Sequence, residues 1–152
     1  VFKSIYYLSI FVGLFGAGCG DLGLGDSTGT SVSGSILGSD FSSIAGSAES
    51  FGGTYTITLA DTGAFACNSF DSPPTAYLTV VLADVSAPTS VSAASSVSFN
   101  SYEDGVNDVE AATSGTINID EIDDISGAIS GTIDASGPTS FVSGTFSAEI
   151  CP

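Results

Sequence analysis

Ser114-Gly115-Thr116-Ile117-Asn118-Ile119-Asp120-Glu121-Ile122, Ile125-Ser126-Gly127-Ala128-Ile129-Ser130-Gly131-Thr132-Ile133-Asp134-Ala135 and Phe141-Val142-Ser143-Gly144-Thr145-Phe146-Ser147-Ala148-Glu149-Ile150 are three runs in which apolar residues fall at every second position. A period of two is the mark of a strand with one buried face, and turn-forming residues separate the runs. A three-residue turn at Ile122-Asp123-Asp124 would face Gly115 with Gly131, Ile117 with Ile129 and Ile119 with Gly127. A two-residue turn at Gly137-Pro138 would face Gly131 with Gly144, Ile129 with Phe146 and Ile133 with Val142. These registers place the glycine of each Ser-Gly-Thr in one row and put Ile117, Ile119, Ile129, Ile133, Val142, Phe146 and Ile150 on one core face. Three glycines abreast would open a band in which a large side chain could lie and the strands could bend.

Outward from these runs the pattern continues. Further strands are expected at Ser31–Leu37, Ser43–Ser50, Thr54–Ala60, Ala76–Asp84 and Val91–Phe99, with the segments Asp61–Thr75 and Asn100–Ala112 as loops. No segment carries a helical stripe. About eight strands after an N-terminal leader predict an all-β domain over residues 31–152, an antiparallel β-sandwich or squashed barrel.

The leader is a different kind of sequence. Lys3 precedes the apolar run Ile5–Phe15, and small residues follow, which is the layout of a secretory signal. The run is shorter than the roughly 20 apolar residues that span a bilayer. The chain opens on Val1 and contains no Met, so either a start lies upstream or an unusual start codon was translated literally.

Leu14-Phe15-Gly16-Ala17-Gly18-Cys19 resembles the lipobox of bacterial lipoproteins, with Gly16 where that family usually has Leu. The resemblance implies a signal peptide over residues 1–18, cut before Cys19, and acylation of the Cys19 thiol. It further implies a partner, the membrane reached through the lipid anchor, and a place in the cell envelope. Asp21 rather than residue 20 carries the first acid, which points to the outer membrane or cell surface. Residues 19–30 then form a lipidated cysteine and flexible tether with four glycines, reaching roughly 18 Å. An ordinary secretory signal with a soluble product is the alternative.

With Cys19 acylated, Cys67 and Cys151 remain as an even pair in an oxidising compartment and are expected to form a disulfide. The last strand, Gly144–Cys151, is also similar to the C-terminal strand of small uncharacterised bacterial lipoproteins, which join a late cysteine to an earlier one.

Composition excludes whole classes of chemistry. The chain has one Lys or Arg, 17 Asp or Glu and no His, for a net charge of −16; removing Lys3 with the leader makes it −17. Nucleic acid is not a partner, because Lys and Arg supply most of that affinity. Nucleophilic catalysis lacks a His or Lys base. Such charge suits a saline medium, although drift in a Ser/Thr/Gly-rich secreted chain would produce the same composition.

A carboxylate pair for glycoside hydrolysis, Glu103 with Glu110 or Glu121 with Asp124, is the one catalytic alternative, and neither pair has a sugar cleft's aromatics around it. The expectation is a protein without catalytic residues and without a resident cofactor, in a structural or interaction role toward an unknown protein or glycan. The second alternative is a ligand- or Ca-binding surface module. Eight of the 17 carboxylates lie between Glu103 and Asp124, and Asp104, Asp108 and Glu110 are the candidate calcium ligands in a loop at Asn100–Ala112.

Overall fold

The computed structural model describes residues 30–62, 65–67, 69–70, 74–123 and 125–151. The expected leader, Cys19, the tether as far as residue 29 and Asp124 lie outside these residues. Thr30, expected in the tether, is held to Ser147, its hydroxyl donating to the Ser147 carbonyl at 2.7 Å and accepting the Ser147 N–H at 3.1 Å. The described chain is all β: β1 (Ser31–Ile36), β2 (Ser39–Ser42), β3 (Ala45–Phe51), β4 (Thr54–Ala60), β5 (Phe65–Ala66), β6 (Ser69–Phe70), β7 (Ala76–Ala83), β8 (Thr89–Ser92), β9 (Val97–Glu103), β10 (Val106–Ala111), β11 (Ser114–Asp123), β12 (Ala128–Ser136) and β13 (Phe141–Cys151). Eleven strands form one curled, open sheet in the order β10-β9-β7-β4-β3-β13-β12-β11-β8, with β1 and β2 branching from β13; β5 and β6 form a separate two-stranded ribbon.

Two devices curl the sheet. The first is β13, whose N-terminal half pairs antiparallel with β1 (Val32 opposite Gly144) and whose C-terminal residues pair parallel with β3 (Ile150 opposite Ala48). The second is a bent ribbon. Thr89 faces Ile119 and Ser92 faces Thr116, whereas Phe99 faces Glu110 and Glu103 faces Val106, so β8–β11 and β9–β10 continue one hairpin with a register shift of one residue. At the corner the ribbon breaks at Ala93–Ser96, where Ser95 takes a φ of 70°, and at Ala112–Thr113. Ala93 and Ala112 are buried there, and their N–H groups bond the Gly115 and Val97 carbonyls at 3.1 and 2.9 Å. The strand expected at Val91–Phe99 is therefore two strands that serve opposite ends of the sheet.

The core face is the expected one, with Ile117, Ile119, Ile129, Ile133, Val142 and Phe146 all buried. The registers are not. Gly115 faces Ala135, Ile117 faces Ile133 and Ile119 faces Gly131, a shift of four residues from the expected pairing. Gly131 faces Phe146 and Ile133 faces Gly144, a shift of two. From Ser114 to Ile119 and along β12–β13 the shifts are even, so those side chains keep their face. Past Ile119 a bulge moves the β11–β12 register by one more residue, and Ile122, opposite Ile129, packs against the core. Turn length and this bulge set the pairing. Asp123 caps the β11–β12 turn by accepting the Ile125 and Ser126 N–H groups at 2.8 and 3.1 Å. Gly137 donates its N–H to the Ser140 carbonyl at 2.8 Å, closing a longer turn than Gly137-Pro138 alone.

The glycines accordingly do not lie abreast. Gly34 faces Val142, Gly144 faces Ile133, and Gly131 faces Phe146, so Gly34, Gly144 and Gly131 step two residues per strand along a diagonal of β1, β13 and β12. A Cβ at any of the three would come within 2.0 Å of a carbonyl oxygen of the adjoining strand: Phe141 for Gly34, Ser31 for Gly144 and Asn118 for Gly131. The backbones approach along this line as no side chain would allow, and a line of glycines is where a sheet can bend.

β2, β5, β6 and β10 are additions to the expected set. The segment Asn100–Ala112, expected as a loop, is the β9–β10 hairpin. Asp104 and Gly105 form its two-residue turn with φ of 51° and 82°, the left-handed pair that an Asp-Gly turn favours.

Candidate functional site

The acidic region singled out by the sequence is built on this hairpin. A two-residue turn makes Glu103 and Val106 a hydrogen-bonded pair, so every second residue of β10 bonds β9 and those between point away. The Ala112 N–H duly reaches the Val97 carbonyl at 2.9 Å, and the Tyr102 N–H points the other way, to the Thr75 carbonyl at 2.9 Å. Val106, Asp108 and Glu110 share the face of buried Phe99; Asn107, Val109 and Ala111 share the outer face with Tyr102 and Asn100.

Glu110 is the best-connected carboxylate described. Its Oε1 accepts the Thr139 and Ser140 N–H groups at 3.0 and 2.9 Å, and its Oε2 accepts the Thr139 N–H at 3.1 Å and the Thr139 hydroxyl at 2.6 Å. Partial desolvation pushes its pKa up, and the bonds from Thr139 and Ser140 outweigh this and hold it below the ordinary value of 4.5. Glu110 thus fastens edge strand β10 to the β12–β13 turn. Asp123 is held below its ordinary 3.8, first by hydrogen bonding from Ser126 and then by the Ile125 N–H.

The three calcium candidates are not gathered by this arrangement. Asp104 is at the hairpin tip, Asp108 in mid-strand, and the carboxylate of Glu110 is engaged with the turn. Among the described residues no group of three or more His, Cys, Asp or Glu side chains could hold a metal ion. Glu103 faces Val106, four residues along β10 from Glu110. That is about 14 Å of strand, longer than the 5–10 Å between glycosidase carboxylates. The other pair includes Asp124, outside the described residues.

Cys67 and Cys151 are joined, with Cα atoms 5.2 Å apart. Cys151 is opposite Glu49, on the outer face of the sheet, and β5 lies against β3. The bridge therefore ties Cys67, beside β5, to the last residue of β13, and outward-facing Ala45, Ser47 and Ala60 are buried although they face away from the core.

The sequence reading missed the clasp from Glu110. The available signal was Asp104-Gly105: read as a hairpin turn, it makes Val106–Ala111 a strand and sends Glu110 away from the tip. Compared with known family models, curated proteins and solved structures, the chain matches none.

Proposed function

We propose that the chain is a non-catalytic cell-envelope lipoprotein, held at the outer membrane or cell surface by acylated Cys19, whose β domain has a structural or interaction role. In this reading the curled sheet serves as a squashed barrel, closed by the Glu110 clasp. The observation that carries the proposal is the distribution of thiols. Cys67 and Cys151 bond each other, so Cys19 is the remaining cysteine of the three. It follows an apolar leader and a run of small residues, which is the context an acylating enzyme reads. More than one acyl chain makes such an anchor stable, at about 0.8 kcal/mol per buried methylene.

Detergent phase partitioning of the full chain tests this. Wild type is expected in the detergent phase and Cys19→Ser in the aqueous phase. Wild-type protein remaining in the aqueous phase overturns the reading.

A further inference from the structure

We infer that the free edge of β10 binds an extended cationic peptide by strand addition, with basic and apolar residues alternating along that peptide. The inference rests on the interaction role proposed for the β domain and is independent of the anchor at Cys19. β10 ends the main run of the sheet, and its only strand partner among the described residues is β9. Asn107 and Val109 turn their N–H and C=O groups away from β9, as the Asp104-Gly105 turn requires. The next outward group, the Ala111 carbonyl, is covered: a Cβ on Gly137 would sit 3.1 Å from it. The open template is thus the stretch around Asn107 and Val109, bounded by the hairpin tip on one side and the Glu110 clasp on the other.

Its side chains specify the occupant. Val106 and Val109 are 59% and 58% exposed, and Tyr102 is 37% exposed. An edge guarded only against pairing would not present two valines to solvent. On one face an added strand would run beside Asp108, with Glu103 and Asp104 at the tip; on the other it would run beside Val109. Facing side chains of paired strands lie on the same side, so the complement has Lys or Arg on alternate residues and apolar side chains between them. A second copy does not fit. It would bring Asp108 and its acidic neighbours against their own kind, on chains each carrying −16 and a single basic residue at Lys3.

The test is binding of a labelled, acetylated Lys-Val-Lys-Val-Lys-Val amide to the full chain at low ionic strength, followed by fluorescence anisotropy. Saturable binding is expected, with at least tenfold weaker binding of the same peptide carrying N-methylated valines, which keeps the charge and removes the donors. Val109→Pro deletes an outward N–H that β9 does not use, and should weaken binding at least tenfold while leaving the circular dichroism unchanged. Asp108→Asn should lower the affinity and flatten its salt dependence. Should Val109→Pro fail to fold, the N-methylated peptide decides the matter alone. Equal binding of both peptides, binding of the Glu-Val analogue, or sedimentation as a dimer lost in Val109→Pro would each overturn the inference. Detergent partitioning of the same preparations reports the anchor separately, so loss of one reading leaves the other standing.

Discussion

Glu110 and Thr139, 29 residues apart in the chain, are joined by three hydrogen bonds, from the Thr139 N–H to both carboxylate oxygens and from its hydroxyl to Oε2. One side chain thereby links the edge of the sheet to a turn between two of its central strands. Hydrogen bonds to a charged group are individually stronger than neutral ones, and this group is only partly buried.

Removing the carboxylate should loosen the closure. Glu110→Ala is expected to cost about 1–2 kcal/mol, a fall of several degrees in Tm, read by thermal unfolding. Thr139→Val, which removes the hydroxyl and leaves the N–H bonds, should cost less. A Glu110→Ala protein as stable as wild type would mean that the clasp holds nothing.

The same group sets a pH dependence with a definite sign. The Glu110 pKa is lowered in the folded protein, so its stabilisation is fully present above the ordinary value of 4.5 and is lost as pH falls through the lower folded value. Asp123 contributes in the same direction below its ordinary 3.8. Mutual repulsion among the other carboxylates relaxes over the same range and opposes both. The difference in stability between wild type and Glu110→Gln isolates the clasp. It should be constant well above the ordinary value of 4.5 and shrink toward zero as pH falls through the lower folded value.

Breaking the disulfide should be costlier. Cys67 and Cys151 are 84 residues apart in sequence, and closing such a loop is worth about 4.5 kcal/mol on the chain-entropy model. Cys67→Ser with Cys151→Ser should lower the urea midpoint accordingly. It should also speed proteolysis between β4 and β7 before the rest of the domain. Uniform cleavage would show that the bridge does not act locally.

The glycine diagonal offers a steric test. Gly131→Ala forces a Cβ to within 2.0 Å of the Asn118 carbonyl, whereas nothing lies within 4 Å of a Cβ on Gly52. Gly131→Ala should cost more than about 3 kcal/mol or prevent folding. Gly52→Ala, with only its φ of 59° to oppose it, should cost about 1 kcal/mol. Equal costs would deny the close approach of β11 and β12.

Local chemistry by itself determined a good part of this protein. Period-two patterning places Thr54–Ala60 as a strand in full, and parity assigns Ile117, Ile129, Ile133, Val142 and Phe146 to the core whatever the register, because an even shift leaves a side chain on its face. The expected pairing of Cys67 with Cys151 is the one present. Where residues meet across the molecule was decided only by tertiary structure. The β12–β13 turn is longer than Gly137-Pro138 suggests, and Glu110 from a distant strand binds its Thr139 and Ser140. Val91–Phe99 breaks at a corner where the Ala93 N–H bonds Gly115 and the Ala112 N–H bonds Val97, partners that no local propensity encodes. Alternation fixes which face a residue takes; turn length, close backbone approach and long-range hydrogen bonds fix which residue it faces, and those depend on groups far away in the chain.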